Sequence, residues 1–317
     1  MLFERSRIAP LLARLAEDHN VFLGTSSWRF RGWCGTLYDE DRYLWGTHFS
    51  RRRFNDRCLE EYAAVFRTVE VDSTYYALPK IDRLLAMADQ APEGFRFSFK
   101  APDDITVKHF PNLPAYGKKA GTANEFFLSE GLFAMGFLRH LERIREKVGM
   151  IVLEFSHFGE DDFGHGRDFV EALDGFLGSL PDEGWRIGVE VRNKNLLHPD
   201  YFAMLARHGA AHVYNQWTRM PSVTEQLGKL PARANAFLGA RFLLTPGRTL
   251  DWARERFEPF HQIREIDESA REALVGLIRG AMDRRPESPA YLYVGNDLEG
   301  NALHTIADVL EEAALGD

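Results

Sequence analysis

A single α/β barrel of the TIM type, closed by eight strands in the (β/α)8 pattern, is the fold class this sequence predicts. Three observations point to it. Eight strand-like runs are spread over 317 residues, helical patterns follow most of them, and no Gly-x-Gly-x-x-Gly stands after the first run. A barrel of this kind commonly takes about 250 residues, whereas the dinucleotide-binding alternative needs that glycine fingerprint. The apolar share of 45% and charged share of 27% are ordinary for a globular chain. A net charge of −8 argues against a broad nucleic-acid-binding surface, though it leaves room for a local basic groove.

The elements run in a simple order. Residues 1–20 read as a helical extension, amphipathic and broken by charges, unlike a signal peptide, and 21–317 as the barrel domain. The strands are expected at 21–28, 68–76, 95–102, 149–156, 186–193, 211–217, 236–244 and 290–297. Helical stripes follow at Leu59, Tyr62, Ala63 and Phe66, and at Ile81, Leu84, Leu85 and Ala88 with Pro79 at the helix start. Another stripe joins Phe137, Leu138, Leu141, Ile144 and Val148; further helices are expected near 167–181, 199–209, 266–283 and 301–313. The sixth helix, within "MPSVTEQLGKLPARAN", is weakly periodic. Two connections, 29–54 and 101–124, are too long for plain loops. They follow strands one and three, on the face where barrel enzymes carry their chemistry. The acidic stretch 157–166 lacks calcium-loop spacing and reads as a hydrated loop. Cys34 and Cys58 form neither a disulfide framework nor a metal spacing, which suits a reducing cytoplasm. No run approaches the roughly 18 apolar residues of a membrane span.

Alternation along each strand then sorts the side chains. Phe95, Phe97 and Phe99 belong toward the helices, which turns Arg96, Ser98 and Lys100 inward. The same logic sends Glu70 and Asp72, Glu154, Glu190 with Arg192, Arg241 and Asn296 toward the carboxyl end of the barrel. Four acids and three bases would meet at one mouth. Burying an isolated charge costs several kcal/mol, so such a group must be paired, hydrated or bound to something. Barrel interiors are usually filled by branched apolar side chains, and a functional cleft explains the cluster better than packing does.

The stretches "LGTSSWRFRGWCGTLYD", "YAAVFRTVEVDSTYYALP", "FRFSFKAPDDIT", "IGVEVRN" and "AYLYVGNDLEGNA" resemble, in order and over nearly the whole chain, the YecE-like family, also called domain of unknown function 72. The resemblance implies a TIM-like barrel and hands over no reaction. It carries Trp28, Glu70, Ser73, Tyr75, Lys100, Glu190, Arg192, Arg241 and Asn296 onto family motif positions. The chain departs from the pattern at Asp72, where Asn is usual, and at Glu154, where Gln is usual, and residues 39–54 are longer.

The residues support acid–base chemistry on a small polar anion bearing a carboxylate or phosphate. Lys100, Glu190 and Glu70 are the catalytic candidates. Arg192 and Arg241 would clamp the anion, with Trp28, Asp72, Ser73, Tyr75, Glu154 and Asn296 positioning it. An alternative is a metal-dependent phosphodiester hydrolase or nucleic-acid-processing protein. Glu70, Asp72, Glu154 and Glu190 would then hold Mg²⁺ or Mn²⁺, while the aromatic and arginine-rich residues 28–54 would either stack bases or close over the mouth as a lid. His109, His157, His165 and His198 fall in loops and suggest no zinc site. A second alternative is a non-catalytic binder of a small anion.

Overall fold

The eight expected strands form one closed, all-parallel barrel in sequence order. They are β1 Val21–Ser26, β2 Thr68–Val71, β3 Arg96–Lys100, β4 Val148–Phe155, β5 Ile187–Val191, β6 Ala211–Gln216, β7 Leu238–Phe242 and β8 Ala290–Val294. A computed structural model describes residues 3–159, 162–230, 235–284 and 287–313. Residues 160–161 of the acidic loop, 231–234 after the sixth helix and the ends of the two expected domains lie outside them.

Several strands stop short of their apolar patterns. β2 ends at Val71, not Tyr76, because Asp72 turns to helical backbone and Ser73–Tyr76 makes one helical turn. The Thr74 hydroxyl fixes that turn by bonding the carbonyls of Val71, at 3.0 Å, and Lys100, at 2.7 Å. Around the barrel lie α1 Arg5–His19, α2 Arg51–Ala63, α3 Ile81–Gln90, α4 Gly166–Ser179, α5 Pro199–Arg207, α6 Val223–Lys229, α7 Leu250–Phe257, α8 Glu268–Met282 and α9 Ala302–Glu312. The stripe at 137–148 does not make one helix. It divides into a π-helical segment Leu132–Leu138, a turn Arg139–Leu141 and a 3-10 segment Glu142–Lys147, and Val148 already belongs to β4. The weak sixth helix forms through a capping box, in which the Ser222 hydroxyl and the Glu225 carboxylate each accept from the other's backbone N–H. α7 has no counterpart in the expected helices.

The barrel interior is layered. At the amino-terminal end Phe22, Met150, Val213 and Tyr291 make an apolar plug, against which Ala16 of α1 packs. Above it Tyr293 donates to Ser98 at 2.6 Å and shares a 2.7 Å bond with Thr68. Gly24 is required at this level, since a Cβ there would lie 2.4 Å from the Thr68 carbonyl oxygen. The outward residues Val69, Phe97, Phe99, Ile151, Leu153 and Val189 are fully buried under the helices. No helix among the described residues is long and apolar enough to cross a membrane.

Candidate active site

The top layer of the barrel is ionic, and Arg241 of β7 stands at its centre. Its guanidinium lies 2.6 Å from Glu70 Oε1 through Nε and donates to Glu70 Oε2 at 3.0 Å through Nη2. Nη1 donates to Glu154 Oε2 at 2.6 Å and to Glu190 Oε2. Strand register explains the grouping: Glu154 and Glu190 are partners across β4 and β5, and Ser26 and Glu70 across β1 and β2. The Ser26 hydroxyl donates to Glu70 at 2.6 Å and to Asp72 at 3.1 Å.

Two more cations join from neighbouring strand ends. Lys100 Nζ lies 2.9 Å from Glu154 and 4.1 Å from the centre of the Tyr75 ring. Arg192, just past β5, reaches Glu154 at 2.9 Å and Glu190 at 3.1 Å, and its guanidinium lies over the Trp217 ring at 3.7 Å. Burial alone would raise the Glu154 pKa, but Arg192, Lys100 and Arg241 together outweigh it and hold this carboxyl well below the usual range. Glu70 goes the other way: burial dominates, Arg241 offsets it only in part, and Asp72 adds to the rise. The same four acids keep Arg241 firmly protonated despite its burial.

Above this floor opens a cavity of about 390 Å³, walled by Lys100, Glu154, Arg192, Arg241, Asp72 and Tyr75 on the barrel side. Phe30, Trp217, Arg254, Glu258, Phe260, Asn296 and Asp297 complete it. The Asn296 carboxamide oxygen accepts from the Ala302 backbone at 2.8 Å, while its buried Nδ2 has no partner. Burial pushes Asp297 up to about 6, because Arg254, at 3.9 Å, compensates weakly and Glu258 and Asp72 oppose its charge.

Of the residues singled out from sequence, Asp72, Tyr75, Lys100, Glu154, Arg192, Arg241 and Asn296 line the cavity. Glu70 and Glu190 lie beneath its floor, fully buried, where they hold the two arginines. Trp28 and Ser73 lie elsewhere. A positive φ at Ser27 turns the chain at the end of β1, and Trp28 is buried beneath Arg29 with its carbonyl accepting from Tyr38. Ser73, carried outward by the helical turn after β2, faces a separate groove. The four acids expected to offer metal ligands are gathered around a guanidinium. Among the described residues no group of three or more His, Cys, Asp or Glu side chains is disposed to hold an ion.

The long connection after β1 is packed, not splayed. Trp33, Tyr38, Tyr43 and Phe54 are buried, Phe30 presses on Phe260 at the cavity wall, and only Trp45 of the tryptophans here is widely exposed. Its buried rings pack on one another, and among the described residues they offer no row of open stacking faces.

The family model described as "Protein of unknown function DUF72" matches residues 22–316. The chain belongs to the DUF72 family. It is similar to UPF0759 protein YecE of Escherichia coli K12, 34% identical over 150 residues. That match spans 46% of this chain and 43% of the relative, less than half of either. Crystal structures of DUF72 proteins from Enterococcus faecalis V583 and Thermotoga maritima MSB8 share the fold, with TM-scores of 0.59 and 0.56. Their sequence identities are 16% and 21%, over 93% of this chain and 95% and 98% of theirs. These likenesses establish the barrel and the family, and no reaction with them. Asp72 and Glu154 both sit at this cavity.

The sequence reading missed the far wall. Arg254 and Glu258 are one helical turn apart in a segment that showed too thin a stripe, and Asp297 was passed over beside Asn296. Trp217, the last residue of an expected strand, carried a usable signal: an aromatic at the carboxyl end of a barrel strand.

Proposed function

We propose that this cavity is the active site of a cytoplasmic enzyme that performs acid–base chemistry on a small anion bearing a carboxylate or phosphate, as a hydrolase, lyase or isomerase. One observation carries the reading. Lys100, Arg192 and the unpartnered Asn296 amide face the same space as Asp297, a carboxyl poised at about 6. A proton-transfer group works best with a pKa near the working pH. Arg192, held over the Trp217 ring and tied to two carboxylates, is a rigid fork for an anionic oxygen pair.

Roles divide by depth. Lys100 and Asp297 exchange protons with the substrate, and Asn296 and Tyr75 orient it. Glu70 and Glu190, which the sequence offered as catalytic, act in this reading as positioning residues beneath Arg241 and Arg192. Free Cys34 and Cys58 suit the reducing compartment. The same cavity would serve a non-catalytic anion binder, and Asp297 separates the two. A thermal-shift screen of small carboxylates and phosphate esters should yield a ligand whose binding Arg192→Ala weakens about tenfold or more. Asp297→Asn should keep binding and lose turnover. Full turnover in both Lys100→Met and Asp297→Asn would end the acid–base assignment.

A further inference from the structure

Ser73 and the arginines at the ends of the β1 connection meet away from the cavity. They line a groove of about 720 Å³ between α2 and α3, in the size range of small-molecule sites, about 300–1,000 Å³. Five cations, Arg29, Arg51, Arg52, Lys80 and Arg83, face it against one carboxylate, Asp56. That is a formal +4 on a chain whose total is −8. Among the described residues the five make one salt bridge, Arg52 to Asp56 at 3.8 Å.

Like charges gathered with so few partners are held in mutual repulsion, which an anion would relieve. Arg29 is already fixed, with its guanidinium 4.2 Å over the Trp28 ring and its Nε donating to the Asn55 carbonyl at 3.2 Å. Helices α2, of 13 residues, and α3, of 10, both bring their first turns to the groove and add their positive dipole ends. Part of the remaining wall is apolar, through Leu78, Leu84 and Met87. Inorganic phosphate alone would leave that wall unused.

We infer that this groove is a second ligand site, for a small organic phosphate whose charged end meets Arg29 and Arg83 and whose apolar body lies on Leu78 and Met87. The Ser73 hydroxyl stands at its rim as a further donor. The site is independent of the chemistry proposed for the main cavity, from which the Ser73–Leu78 segment separates it.

Calorimetric titration of the full chain with ADP at low ionic strength tests the inference, with inorganic pyrophosphate and adenosine as half-ligands. ADP should bind more tightly than either. The exposed substitution Arg83→Glu should weaken ADP about tenfold or more, and Lys80→Glu, equally exposed, should do the same if the first variant folds poorly. Leu78→Asp should weaken ADP and spare pyrophosphate, while Arg192→Ala in the main cavity should leave ADP binding unchanged. The inference is overturned by no ADP binding, by binding that Arg192→Ala abolishes and Arg83→Glu spares, or by a single-stranded oligonucleotide that outcompetes ADP.

Discussion

Removing the central arginine should expose how much of the barrel's stability rests on one side chain. Arg241 is 1% exposed and contacts Glu70, Glu154 and Glu190, each itself buried. Arg241→Ala leaves those buried carboxylates with Arg192 and Lys100 as the remaining cations of the cluster among the described residues. Breaking a buried ion pair from one side costs about 3–5 kcal/mol. With an unfolding entropy of about 2.1 cal/mol/K per residue over 317 residues, or about 0.7 kcal/mol/K, Tm should fall by roughly 4–8 °C. Scanning calorimetry at pH 7.5 measures this. Glu154, held low by its cations, keeps its stabilising contribution at neutral pH and loses it only as pH falls through its depressed folded value. In the variant the orphaned acids protonate more easily, so the gap between the two proteins should shrink at pH 4.5. A drop below about 1 °C at pH 7.5, or an equal drop at both pH values, would refute an electrostatic keystone at this position.

Three further outcomes follow from the same geometry. Asp297, raised to about 6 by burial, favours the folded state in its protonated form, so its contribution is complete below the ordinary carboxylate range and lost as pH rises through about 6. Wild type should therefore lose up to about 3 kcal/mol relative to Asp297→Asn between pH 4 and 7, and denaturation curves that stay parallel would contradict it. His212, fully buried, is lowered to about 4 by burial against a weaker pull from Gln226, so stability holds above the ordinary histidine range and falls as pH drops through about 4. Its ring should remain neutral by NMR at pH 5.5, and a protonated signal there would count against the burial. Gly24→Ala forces a methyl onto the Thr68 carbonyl and should cost about 1–3 kcal/mol, whereas an unchanged denaturation midpoint would show that β1 and β2 can part.

Alternation exposed the fold readily because parallel barrel strands are buried on both faces, so a polar residue in them is conspicuous. Glu70, Glu154, Glu190 and Arg241 stood out for this reason, and register brings them together as expected. What alternation could not supply was depth. Two residues of advance along one face of a strand decide between facing the cavity, as Arg192 does, and lying under it, as Glu190 does. The turn at Ser73 was hidden because "STYY" favours strand locally, while a tertiary bond from Thr74 to Lys100 favours the turn. α7 buries only Ala253 and Phe257, too little for a stripe to register, and the wall it contributes was lost with it. α6 offered a readable signal in its Ser222-x-x-Glu225 cap, which periodicity does not detect.

The provenance of Arg241 bears on how the chain assembles. The guanidinium lies 171 positions from Glu70, 87 from Glu154 and 51 from Glu190. During synthesis from the amino terminus the acids emerge first; Lys100 and Arg192 precede the seventh ribbon, but the cation that contacts Glu70 arrives only with it. Until then a rolled-up intermediate would bury Glu70 without its cation, so the nascent sheet gains by staying open and wet at that end. Sealing the cylinder and discharging its rim become one event, timed by the strand that brings the cation.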